Sequence, residues 1–185
     1  MKISVPVLIT LVAASLLNTA CQADDDEHER KGGFFEKQKD VAAITDPVYK
    51  EECGSCHFAY QPGLLPARSW KKVMSGLADH FGDNAELGAD TQKKLTDYLL
   101  ENSADKSSYR RSQRLIRNLP ADQAPVRITE LPYFKHEHKE IRPNLITENK
   151  EVRSLSHCQA CHRTADTGSY SEREINIPGF GPWKD

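Results

Sequence analysis

The sequence predicts a mainly α-helical chain built from two small units, and three observations predict it. Two pentapeptides share the form Cys-x-x-Cys-His: Cys53-Gly54-Ser55-Cys56-His57 and Cys158-Gln159-Ala160-Cys161-His162. Several short stretches repeat apolar residues at i, i+3, i+4 and i+7, the period of an amphipathic helix. Between them lies a polar run, Asn102-Ser103-Ala104-Asp105-Lys106-Ser107-Ser108, which reads as a boundary. The expected division is a leader over residues 1–23, a first unit over 24–105 and a second over 106–185.

The leader comes first in the chain. Met1-Lys2 is followed by an apolar run over residues 3–17, then Asn18-Thr19-Ala20-Cys21-Gln22-Ala23 and the acidic Asp24-Asp25-Asp26-Glu27. Charge, apolar stretch and small residues in that order are a secretory signal, with cleavage expected after Ala23. The run is shorter than the ~20 apolar residues of a transmembrane helix, and nothing later is more apolar, so no membrane-spanning segment is expected. Cys21 would be the acylated residue of a lipoprotein signal, but the residue three places before it is Asn18, so a lipid anchor is the lesser reading. Removing 23 of 185 residues leaves 162 and takes the net charge from −2 to −3, because Lys2 is the only charge removed. No basic stripe marks a nucleic-acid partner. A chain with 38% hydrophobic residues has little apolar surface for two cores. Something else must supply core material.

The cysteines say what it is. Five cysteines in an exported chain first suggest disulfides, yet four fall in C-x-x-C pairs followed at once by histidine. Two thiols at that spacing reach the two vinyl groups of a porphyrin, and the next residue sets an imidazole on the iron, so the motif reads as c-type haem attachment. A four-cysteine zinc site is the structural alternative, but the pairs lie 105 positions apart (158 minus 53). Two covalently bound haem c groups are expected, on Cys53 and Cys56 and on Cys158 and Cys161, with His57 and His162 as the first axial ligands. The units are therefore two haem-binding units.

Each iron needs a second ligand or keeps an open face. A helix over 41–52 leads into the first motif. Another is expected over 69–81, with Trp70, Val73, Met74, Leu77 and Phe81 as its apolar stripe, Ser69 as cap and Gly82 as stop. His80 falls on that stripe and is the favoured ligand to the first iron, with Met74 as alternative; the bland reading of either is core filling. A third helix begins near Asp90 and buries Leu95, Tyr98 and Leu99. In the second unit, residues 109–119 read as a helix ended by Pro120, and 131–141 as another, opened by Pro132 and closed by Arg142-Pro143. Phe134, His138 and Ile141 share a face there, which favours His138 over His136 as ligand to the second iron. His157 and His28 read as surface and tail residues.

Leu65-Pro66-Ala67-Arg68-Ser69-Trp70, Leu77-Ala78-Asp79-His80-Phe81-Gly82 and Phe134-Lys135-His136-Glu137-His138, with the late second motif, resemble the bacterial dihaem cytochrome c family known as DHC. The resemblance covers nearly the whole mature chain. It implies an N-terminal part like a class I cytochrome c and a C-terminal part with its own, irregular fold of short helices. It also implies two histidine ligands on each iron, His57 with His80 and His162 with His138.

Two histidines fill both faces of an iron, and histidine in place of methionine lowers its potential. The expected function is therefore low-potential electron transfer in the periplasm, not an enzymatic one. The resemblance implies a membrane b-type cytochrome and an oxygen-binding monohaem cytochrome as partners. Two other classes compete. A dihaem peroxidase would leave one iron open, and an electron-entry subunit would be docked permanently on a larger oxidoreductase. Carbon monoxide binding during a redox titration separates the first of these from a carrier.

Overall fold

The computed structural model describes residues 39–183; the leader, Cys21 and His28 lie outside the described residues. Helix α1, Pro47–Gly54, starts later than the expected position 41. Pro47 suits the first helical turn, and the Asp46 carboxylate accepts the Tyr49 N–H at 3.0 Å, which fixes the start there. The chain then passes through a short 3-10 turn, Pro62–Leu64, into α2, Ala67–Ser75.

Helix α2 buries Ser69, Trp70 and Met74 against α3, Ala89–Glu101, which turns Leu95 and Leu99 inward. The Trp70 indole donates to the Pro62 carbonyl at 2.7 Å, and Gln92 of α3 donates to the Met74 carbonyl at 2.7 Å. The start of α2 is capped from far away. Asp105 accepts the Ala67 N–H and pairs with Arg68 at 3.7 Å.

The helix expected over 69–81 is shorter than its apolar stripe suggested. It stops at Ser75, where Gly76 takes the C-cap position, and a 3-10 turn, Leu77–Asp79, follows. Glycine pays the largest backbone entropy in a helix, so Gly76 is the cheapest place to end it. His80 therefore stands on a tight turn. Its N–H donates to the Asp83 carbonyl at 2.7 Å, and the Asp83 N–H donates back at 3.3 Å. The two residues between them, Phe81 and Gly82, both have positive φ, 59° and 100°, as a two-residue primed turn requires.

The second half contributes α4, Arg110–Arg117, and α5, Pro132–His138, which pack on each other, then α6, Cys158–Cys161. A two-stranded antiparallel ribbon, β1, Asn176–Ile177, and β2, Gly181–Pro182, closes the fold. Helix α5 ends at His138 rather than 141, and Ile141 joins a satellite cluster around Ile146, Val152 and Ile177.

The main core crosses the polar run near residue 105. It includes Val41, Tyr49, Leu65, Trp70 and Leu99 together with Leu115, Leu131, Phe134, Ala165 and Tyr170. Within the run itself, Ser103 and Ala104 are buried, and the Ala104 N–H donates to the Leu65 carbonyl at 2.9 Å. The Val41 N–H donates to the Gly168 carbonyl at 3.1 Å, and Gly168 adopts φ 85°. A Cβ there would drive into the Val41 carbonyl oxygen. Among the described residues, no helix is long and apolar enough to cross a membrane.

Candidate functional site

The first motif leaves the end of α1. Cys53 lies on the helix and is half-buried, whereas Cys56 and His57 are exposed. The His57 ring bonds through Nδ1 to the Phe58 carbonyl at 2.8 Å, which turns Nε2 outward and fixes the tautomer as Nδ1–H. Facing it across a gap is His80. The two ring centres are 6.2 Å apart and their planes are 20° from parallel. The turn at Phe81-Gly82 thus sets His80 opposite His57, by a route other than a helical face. Phe81 packs edge-on against His80, and the Arg127 guanidinium lies 3.9 Å over its ring centre. Met74 is buried in the main core.

The second motif forms α6, and His162 follows it directly. His138, at the end of α5, stacks on Phe134 at 3.9 Å and 11°, and its Nδ1 bonds to the Phe134 carbonyl at 2.8 Å. His138 and His162 face each other with ring centres 6.3 Å apart and planes at 67°. They stand in a cavity of about 310 Å³ that Phe134, Ile141, Ile146, Cys158, Cys161 and Trp183 help to line. Such a volume is within the ~300–1,000 Å³ of small-molecule pockets. His136 and His157 touch the same cavity. His136 is exposed, however, and the His157 ring is held by the Val152 carbonyl at 2.7 Å.

The spacing of each imidazole pair has a simple meaning. Two metal–nitrogen bonds of about 2 Å, each with roughly 1.1 Å from nitrogen to ring centre, set opposed imidazoles about 6.2 Å apart. The two pairs stand at 6.2 and 6.3 Å, the separation such a bridge would need. The protonation state agrees, since a ligating histidine must be neutral. Burial pushes the His162 imidazole down to about 4, with His138 and Arg111 adding to the effect. His138 and His80 are lowered in the same way, first by burial. One nitrogen of His162, Nδ1, is buried with no hydrogen-bond partner among the described residues. The thiols of Cys53 and Cys158 are pushed up to about 11, mainly by burial, and none of the four motif cysteines is in a disulfide. The four cysteines do not converge as a zinc site would require: among the described residues, no group of three or more Cys, His, Asp or Glu gathers to hold a metal ion.

Sequence reasoning missed the residues behind His57 and His162. The Tyr60 ring lies 5.3 Å from that of His57, and the Tyr170 ring 5.3 Å from that of His162. Gln61, fully buried, accepts from the Tyr170 hydroxyl at 2.6 Å and donates to the Ala165 carbonyl. Nothing in the local spacing announces a partner more than a hundred residues away.

Two Cys-x-x-Cys-His motifs, each with a second imidazole set one iron's width across a gap, define a two-haem c-type cytochrome. The chain matches the dihaem cytochrome c family, DHC, over residues 49–170. It belongs to that family, and its two haem c groups are covalently bound. Among solved structures it is similar to the dihaem cytochrome c of Shewanella baltica OS155, at 36% identity and a TM-score of 0.62, covering 75% of this chain and 97% of that one. It is also similar to the dihaem cytochrome c from Rhodobacter sphaeroides, at 40% identity and a TM-score of 0.64, covering 70% and 100%. No curated protein matches.

Proposed function

We propose that this protein is a low-potential electron carrier of the periplasm, each of whose irons is held between two histidines. His57 and His80 take the first iron, His162 and His138 the second. Cys53 and Cys56, and Cys158 and Cys161, hold the porphyrins by thioether bonds. The observation that carries this reading is the pair of ring separations, 6.2 and 6.3 Å. The bound haems supply a one-electron Fe(III)/Fe(II) couple, and the chain's residues decide what else can happen there. His80 and His138 fill the faces that oxygen or peroxide would need. The Phe58 and Phe134 carbonyls hold His57 and His138 by Nδ1, so the rings keep their orientation when the charge changes. Histidine in place of methionine sets the potential low.

The same reading takes residues 1–23 as a cleaved signal for export, with plain cleavage favoured over lipidation of Cys21. It takes residues 24–105 as a part like a class I cytochrome c, and 106–185 as a part with its own fold. A membrane b-type cytochrome as donor and an oxygen-binding monohaem cytochrome as acceptor are the partners that the family resemblance suggests. Near-infrared magnetic circular dichroism of the oxidised protein, with carbon monoxide added to the reduced form, tests the reading. Two histidine–histidine signals and no carbon monoxide binding are expected. A histidine–methionine signal or a high-spin iron at either site overturns it.

A further inference from the structure

Tyr60 stands where the two sites meet. Its ring is 5.3 Å from that of His57, tilted by 37°. Its hydroxyl reaches 96 positions along the chain and donates to the Ser156 carbonyl at 2.7 Å. That carbonyl oxygen lies 3.7 Å from Sγ of Cys158, the first thiol of the second motif. The His57 ring of one site is thus linked to a cysteine sulfur of the other through one side chain, one hydrogen bond and two non-bonded contacts. Gln61, the next residue, reaches the second site through Tyr170, whose ring meets that of His162 edge-on at 5.3 Å.

We propose that Tyr60 is the bridge by which electrons pass between the two haems. The proposal rests on the carrier reading above. Electron tunnelling decays less steeply along covalent and hydrogen bonds than across open space, and the route through Tyr60 crosses space only at two contacts, between the His57 and Tyr60 rings and between the Ser156 oxygen and the Cys158 sulfur. The transfer oxidises one iron by one electron and reduces the other by one. Tyr60 keeps its phenolic hydrogen throughout, and no bond is made or broken. Tyr60 touches the reacting groups only through His57 and Cys158, so it is a positioning residue.

The test uses the intact two-haem protein poised half-reduced. Proton NMR then reads the exchange rate between forms carrying the electron on one haem or the other, from broadening and merging of the haem methyl lines. Tyr60→Phe keeps the ring on His57 and loses the bond to Ser156; Tyr60→Leu loses both. Exchange should slow severalfold in the first and by roughly tenfold in the second, because the protein's share in such chemistry is orientation and contact. Mass spectrometry confirms both haems, and thermal melting reads the bracing role. A lower melting temperature with unchanged exchange in both variants overturns the bridge and leaves Tyr60 as a brace. A wild-type protein that does not cycle reversibly between its oxidised and reduced forms overturns the carrier reading and the bridge with it.

Discussion

His138 and His162 oppose each other across their cavity with ring planes turned by 67°, whereas His57 and His80 lie within 20° of parallel. Near-parallel imidazoles pull on the same iron dπ orbital and separate it in energy from its twin. Crossed imidazoles pull on both and leave them closely matched. Electron paramagnetic resonance of the oxidised protein should therefore show two unlike low-spin signals of equal weight. One will be rhombic, from the first site, and one strongly anisotropic with a single prominent low-field feature, from the second. Two identical rhombic signals would contradict the ring angles.

At the first site, His80→Ala should leave both haems attached, since Cys53 and Cys56 are untouched. It should open one iron, giving high-spin absorption and carbon monoxide binding. Met74 is buried among core side chains, so Met74→Leu should preserve the low-spin spectrum and cost less than about 1.5 kcal/mol, as volume-conserving swaps usually do. The opposite pattern in absorption spectra would make Met74 the ligand.

At the second site, His138→Ala should give a five-coordinate or water-bound haem with a raised potential. His136→Ala, at an exposed position on the cavity rim, should leave the low-spin spectrum unchanged. Spectroelectrochemical titration of the two variants checks both outcomes.

Acid should release the second site late. The folded His162 imidazole is lowered to about 4 from an ordinary 6.5. Between those values the unfolded chain binds a proton that the folded one does not, so stability rises with pH there. The contribution is fully present above 6.5 and is lost as pH falls through about 4. Iron binding to the neutral ring acts in the same direction. An acid titration of the holoprotein should keep the second haem low-spin down to about pH 4, and a spin change above pH 6 would contradict the assignment.

Gly168→Ala should be among the costly single-methyl changes in the chain. It forces a side chain into φ 85° and against the Val41 carbonyl oxygen, in a segment already held close because the Val41 N–H donates to the Gly168 carbonyl. The conformation alone costs about 1–3 kcal/mol. Gly179→Ala, with φ 71° and open space around it, carries only that first cost. Thermal melts of the two should differ, with Gly168→Ala the lower.

The haem attachment points were legible in the sequence because their geometry is covalent and local: two thiols and an imidazole in five residues. The place of His138 on the Phe134 face was legible because α5 runs far enough from Pro132 to reach it. His80 was expected on a helix that in fact stops at Ser75, and its place opposite His57 depends on a turn at Phe81-Gly82 that periodicity does not describe. Ser103, Ala104 and Asp105 looked like solvated linker from their polarity. Two of them are buried, and the third caps a helix 38 residues earlier. Tyr60, Gln61 and Tyr170 carried no signal at all. Their partners lie 96, 104 and 109 positions away, and only the folded chain brings them together.

Those same long reaches set a timetable. Tyr170, whose hydroxyl donates to Gln61 and whose N–H donates to the Asp40 carboxylate at 2.7 Å, lies 113 residues (170 minus 57) after the first motif ends. A chain emerging from its N-terminus displays Cys53 and Cys56 long before the segment that finishes their surroundings exists. The first attachment motif is thus complete in the chain well before the tyrosine that ties Gln61 to His162 of the second site.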